Sequence, residues 1–167
     1  MPEVFHKDPA GYQLRVYDYN GFLVPPFPNV QGILEKIPNV PIREDNVLLL
    51  GYMKTGTHWI WEICVMLLNG SAEYYPGSKT ATMMEKTDET SLSQLSSPRA
   101  FNTHLYLHHL PKEIFTKKPK MIFLTRNPRD TAVYAYHHIF QLKAFQYDGD
   151  WKGFFELFFD GKVSYGN

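Results

Sequence analysis

Cysteine is nearly absent from this chain, and that absence excludes an internal disulfide framework, since Cys64 has no second thiol to pair with. Lying in an apolar stretch, Cys64 reads as a small core residue rather than a nucleophile. Neither charge is in excess: seventeen Lys and Arg balance seventeen Asp and Glu. No global field therefore recruits nucleic acid or an anionic membrane surface, and any anion site has to be a local arrangement. No apolar run approaches the ~20 residues that a membrane span needs. The N-terminus lacks the basic-then-apolar order of a secretory signal. Repeats and low-complexity tracts are missing as well. Together these absences predict a soluble cytoplasmic protein. The 167 residues, 44% of them hydrophobic, suit one ordered domain.

What is present concentrates at three places. Val47 to Tyr52 is a continuous apolar run, the pattern of a parallel strand covered on both faces. Lys54-Thr55-Gly56-Thr57 follows it and opens a helix running from about His58 to Leu68. A loop between strand and helix aims backbone N–H groups and a lysine at one spot, where the helix dipole already favours an anion. The common nucleotide loop places its lysine after the second glycine. Lys54 precedes Gly56, so a plain NTPase or kinase fits poorly. The helix is apolar nearly all round (Trp59, Ile60, Ile63, Val65, Met66, Leu67), which predicts that it is buried.

Ala100 to His104 reads as a short strand, and Met121 to Thr125 as a second strong one. Arg126 then leads into a helix ending near Leu142, with Asn127 as N-cap and Pro128 at its first position. A last helix starts at an Asp150 cap, with Trp151, Phe154, Phe155 and Phe158 on its buried face, and Gly161 stops it. Strand-helix alternation implies an α/β fold with a parallel sheet, its site at the strands' carboxyl ends. There Lys54, His104 and Arg126 would supply anion binding, a general base and a second anion clamp. The first 42 residues, rich in Tyr, Pro and Gly, read as an arm packing on that core; residues 70 to 99 are polar and hard to place.

Tyr52-Met53-Lys54-Thr55-Gly56-Thr57-His58-Trp59 resembles the phosphosulfate-binding loop of the cytosolic sulfotransferases, usually Tyr-Pro-Lys-Ser-Gly-Thr-Thr-Trp. Ser97-Pro98-Arg99 with Thr103-His104-Leu105 resembles the strand bearing that family's catalytic histidine. Arg126-Asn127-Pro128-Arg129-Asp130 resembles its Arg-Asn-Pro-Lys-Asp. The resemblance runs through the whole chain in family order and implies roughly the N-terminal half of a P-loop-type sheet flanked by helices, so that residues 1–167 are a single, partial domain.

It further implies sulfuryl transfer from 3′-phosphoadenylyl sulfate (PAPS) to a hydroxyl or amine of a small acceptor such as a phenol, alcohol, steroid or amine. His104 would take the acceptor's proton, and Lys54 would neutralise charge on the bridging and leaving oxygens. Thr55, Gly56, Thr57, His58 and Trp59 would line the donor site. Arg126 would hold the 3′-phosphate, and Tyr134 stands where a serine for that phosphate is expected. Asn102 stands where many members carry a lysine. No metal is implied, and the adjacent pairs His108-His109 and His137-His138 lack ligand spacing. Full-length members can form homodimers through a C-terminal motif, which is not expected here. A second reading is a truncated, catalytically inactive relative that binds nucleotide or serves as an interaction protein.

Overall fold

The computed structural model describes residues 1–166, which fall into two compact units. The central unit, Asn29–Thr125, is built on a three-stranded parallel sheet. In the other, Met1–Pro28 joins the segment from Arg126 onward.

The second of these carries an antiparallel sheet of β1 (Glu3–Lys7), β2 (Gln13–Tyr19) and β3 (Phe22–Val24), so the stretch read as an arm has regular structure of its own. Leu14 and Val16 alternate inward on β2, the period-two pattern of a half-buried strand. Asp8, at the end of β1, is buried and accepts from the Ala10 and Tyr12 amides and from the Tyr147 hydroxyl. Burial and that bond to Asp8 push the Tyr147 phenol well above its ordinary range.

The central unit starts with α1 (Val30–Lys36) and then β4 (Val47–Gly51), every residue of which is buried. After the loop come α2 (Thr57–Asn69), α3 (Glu89–Gln94), β5 (Ala100–Thr103), α4 (Ile114–Lys117) and β6 (Lys120–Leu124). The strand order is β5-β4-β6, all parallel, with Leu49 level with Asn102 and Ile122. The continuous apolar run thus occupies the middle strand, as a strand covered on both faces must.

Trp61, Cys64 and Val65 of α2 pack on Val47, Leu49 and Ala100, and the Trp61 indole N–H donates to the Ala100 carbonyl at 3.2 Å. Burial raises the Cys64 thiol, as suits a core residue. The expectation that α2 is buried all round is corrected: Trp59 is 74% and Leu67 75% exposed, and Ile63 between them is exposed too. These three recur at every fourth residue and form one stripe. Periodicity fails here because an all-apolar helix does not say which of its faces meets the sheet.

Two arginines, Arg99 buried and Arg43 half-buried, link the loops at the amino ends of β4 and β5. Arg99 donates to the Leu92 and Pro41 carbonyls at 2.7 and 2.6 Å and to Asn46 Oδ1 at 3.3 Å. Arg43 reaches the Leu95 carbonyl and the Ser97 hydroxyl.

In the other unit, α5 (Pro128–Gln141) starts as expected, with the Asn127 side chain accepting from the Arg129 amide at 3.0 Å. The Asp150 cap of α6 (Trp151–Phe159) accepts from the Gly153 amide at 2.8 Å. Its buried face is corrected to Gly153, Phe154 and Leu157, the last two about one turn apart, while Phe158 is half-buried and Trp151 and Phe155 stay exposed. Among the described residues no helix is long and apolar enough to cross a membrane.

Candidate active site

β4 ends at Gly51, and the chain turns through Tyr52 to Gly56 before α2 begins. Thr55 closes that turn, its amide and its hydroxyl both donating to the Tyr52 carbonyl at 3.3 and 2.7 Å. Lys54 sits at φ 65 and Gly56 at φ 104. A left-handed lysine is uncommon, and such strain persists where surrounding structure enforces it, often at a ligand site. Gly56 is the N-cap of α2 and offers no side-chain acceptor to the first helical amides. Those amides, at Thr57 and beyond, are the groups an anion would satisfy.

The turn is packed tightly against the sheet. A Cβ at Gly51 would lie 2.8 Å from Thr55 Oγ1 and 2.9 Å from the Leu124 carbonyl. Glycine is required there by close approach, because β6 and the folded-back loop meet over the strand end.

His104 follows the last residue of β5, and its Nδ1 lies 2.6 Å from the Gly51 carbonyl. A carbonyl only accepts, so Nδ1 carries the hydrogen and Nε2 is the basic nitrogen. Burial, the largest effect, lowers the imidazole below its ordinary value; Glu85 and the bond to Gly51 oppose this, and Lys79 and Lys86 add to it. A neutral imidazole with a defined tautomer is what a general base needs at neutral pH.

Glu85 supports this arrangement and was not singled out in the sequence. It is 1% exposed; one oxygen accepts from the His104 amide at 2.9 Å and the other from the Thr103 hydroxyl at 2.8 Å. Nothing in its polar surroundings marks it, because its partners lie 18 and 19 residues on. Asn102 is wholly buried and bonds through Nδ2 to the Lys79 carbonyl and Thr82 Oγ1.

The structure therefore brings Lys54, Thr55, Gly56, Thr57 and His104 together around the end of β4. His58 and Trp59 occupy the first turn of α2 with exposed side chains. Arg126 and Tyr134 belong to the other unit, where the Arg126 guanidinium lies 4.2 Å from the centre of the Tyr134 ring. Tyr134 is thus a shelf for the arginine, a role its position in the sequence did not suggest. Among the described residues no three His, Cys, Asp or Glu side chains converge as a metal site would require.

Comparison with known proteins adds a separate line. Residues 44–167 match the Sulfotransferase domain family. The chain belongs to the sulfotransferase family. Sulfotransferase 2A1 of Homo sapiens is 36% identical over 131 residues, covering 75% of this chain and 46% of that protein. Sulfotransferase 6B1 of Danio rerio is 29% identical over 157 residues, covering 92% of this chain and 53% of that protein. Among solved structures, mouse sulfotransferase SULT7A1 complexed with PAP superposes with a TM-score of 0.73 at 29% identity, covering 91% of this chain and 54% of that one. The chain therefore spans about half the length of these sulfotransferases.

Proposed function

We propose that this sulfotransferase-family protein binds PAPS and transfers its sulfuryl group to the hydroxyl or amine of a small acceptor. The observation that carries the reading is the bond from His104 Nδ1 to the Gly51 carbonyl. It sets the tautomer of a base beside a strained anion loop, and burial favours the neutral imidazole.

The residues fit the donor: left-handed backbone at Lys54 and Gly56, uncapped amides at the start of α2, and an exposed indole at Trp59 suited to stack on a purine. When bound, the donor supplies an activated sulfuryl group. Thr55, Gly56, Thr57 and the helix amides hold the 5′-phosphate, with His58 alongside. Lys54 balances the negative charge that grows on the leaving phosphate oxygen as the sulfur–oxygen bond to it breaks. His104 Nε2 accepts the acceptor's proton as the new bond to sulfur forms, and adenosine 3′,5′-bisphosphate leaves. Positioning and charge stabilisation supply most of the catalysis, as in phosphoryl transfer. The resemblance gives Arg126 the 3′-phosphate, with Tyr134 orienting its guanidinium. The same reading carries a single, partial domain, a cytoplasmic location and no metal requirement.

The test is a thermal melt of the purified chain with and without adenosine 3′,5′-bisphosphate. A midpoint that rises with ligand is expected, since only binding to the native state shifts it. A cooperative melt that the bisphosphate leaves unmoved would refute the donor site.

A further inference from the structure

Lys79 belongs to no motif, yet the fold delivers its ammonium to the anion loop. It starts a 3-10 turn, Lys79–Thr82, in the polar stretch after α2. Asn102 on β5 fixes that turn, donating to the Lys79 carbonyl at 3.2 Å and to Thr82 Oγ1 at 3.0 Å. The Met84 amide adds a bond to the Asn102 carbonyl at 3.1 Å, so the segment runs beside the strand. From this anchored backbone Lys79 Nζ donates to Thr57 Oγ1 at 2.7 Å. The Thr57 hydroxyl accepts in that bond, which leaves its hydrogen to donate to an anion.

Lys54 lies within electrostatic reach of the same ammonium. Two cations at the positive end of α2 repel one another and the helix dipole unless an anion lies between them. Glu85, the carboxylate facing Lys79, already has both oxygens engaged by the Thr103 hydroxyl and the His104 amide.

We propose that Lys79 is an anion-binding residue of this loop, a second ammonium gripping the sulfuryl or phosphoryl oxygens held at Thr57. The proposal rests on the donor site of the preceding section and names a further ligand in it. Desolvation pulls the Lys79 amine down to about 8, with Lys54 and Lys86 reinforcing this and Glu85 opposing it. A bound anion favours the protonated amine, so affinity should fall as pH rises through about 8. An arginine at this position stays charged and would remove that dependence.

The experiment is calorimetric titration of the full chain with adenosine 3′,5′-bisphosphate and, separately, with inorganic sulfate. Wild type, Lys79→Gln and Lys79→Arg are compared at pH 7 to 9, with melts to establish that each is folded. Lys79→Gln should weaken binding about tenfold, the loss of one charge-assisted contact. Lys79→Arg should restore most of it and flatten the pH profile, which a purely structural lysine would not do. Unchanged affinity in a folded Lys79→Gln protein overturns the proposal while leaving the donor site standing. Lysine-dependent sulfate binding without nucleotide binding keeps the proposal and removes the PAPS reading. Binding of neither ligand by wild type overturns both.

Discussion

Replacing Glu85 with alanine tests the architecture behind the candidate base. The carboxylate satisfies two donors, the His104 amide at 2.9 Å and the Thr103 hydroxyl at 2.8 Å, at a strand end where Thr103 is buried. Each orphaned buried donor costs about 1–3 kcal/mol, which gives roughly 2–6 kcal/mol for the pair. Relief from burying a charge offsets part of this, so a net loss of about 3 kcal/mol is expected. Against a total stability of ~5–15 kcal/mol that is a large fraction. With a urea slope of about 2 kcal/mol/M, the midpoint should drop by about 1.5 M at unchanged slope. Glu85→Gln keeps an acceptor for one donor and should lose about half as much. A double-mutant cycle with Thr103→Val should give a coupling of about 1 kcal/mol or more. A loss below about 1 kcal/mol in Glu85→Ala, or strict additivity in the cycle, would refute the argument that this carboxylate holds the end of β5.

Three further outcomes follow from the same structure. Gly51→Ala should cost about 1–3 kcal/mol in a urea melt and weaken bisphosphate binding, because its Cβ would press on Thr55 and the Leu124 carbonyl; wild-type affinity in the variant would contradict the required close approach. Burial depresses His104 in the folded state, so below about pH 6.5 the unfolded chain binds the extra proton first. Stability should therefore decline as pH falls below that value toward the folded-state value, and His104→Gln should reduce the slope of that decline in melts taken from pH 7 to 5. Tyr134→Ser removes the ring under Arg126 and should weaken bisphosphate binding about two- to fivefold, the worth of an exposed cation–π contact, with unchanged affinity arguing against an orienting role.

Local signals sufficed for much of this protein. The apolar run at Val47 to Tyr52, the Lys-Thr-Gly-Thr loop, and the Asn127 and Asp150 caps depend on neighbours a few residues apart. That is the range over which hydrophobic period, glycine conformation and side-chain capping act. The family assignment and the parallel sheet were legible for the same reason. Residue type and order also pointed to Lys54 and His104 as candidate chemistry.

Tertiary structure decided the rest, because it rests on pairs far apart in the chain. Lys79 meets Thr57 across 22 residues, and Glu85 meets His104 across 19. Neither pairing leaves a pattern in the polar stretch between α2 and β5. The protonated nitrogen of His104 is set by the Gly51 carbonyl, 53 residues earlier, which only the parallel pairing of β4 with β5 brings into reach. Which face of α2 is buried was likewise undetermined by a helix apolar on every side. Sequence pattern named the element, and the sheet beneath it chose Trp61, Cys64 and Val65 over Trp59, Ile63 and Leu67, since a helix can lay only one face on a strand layer.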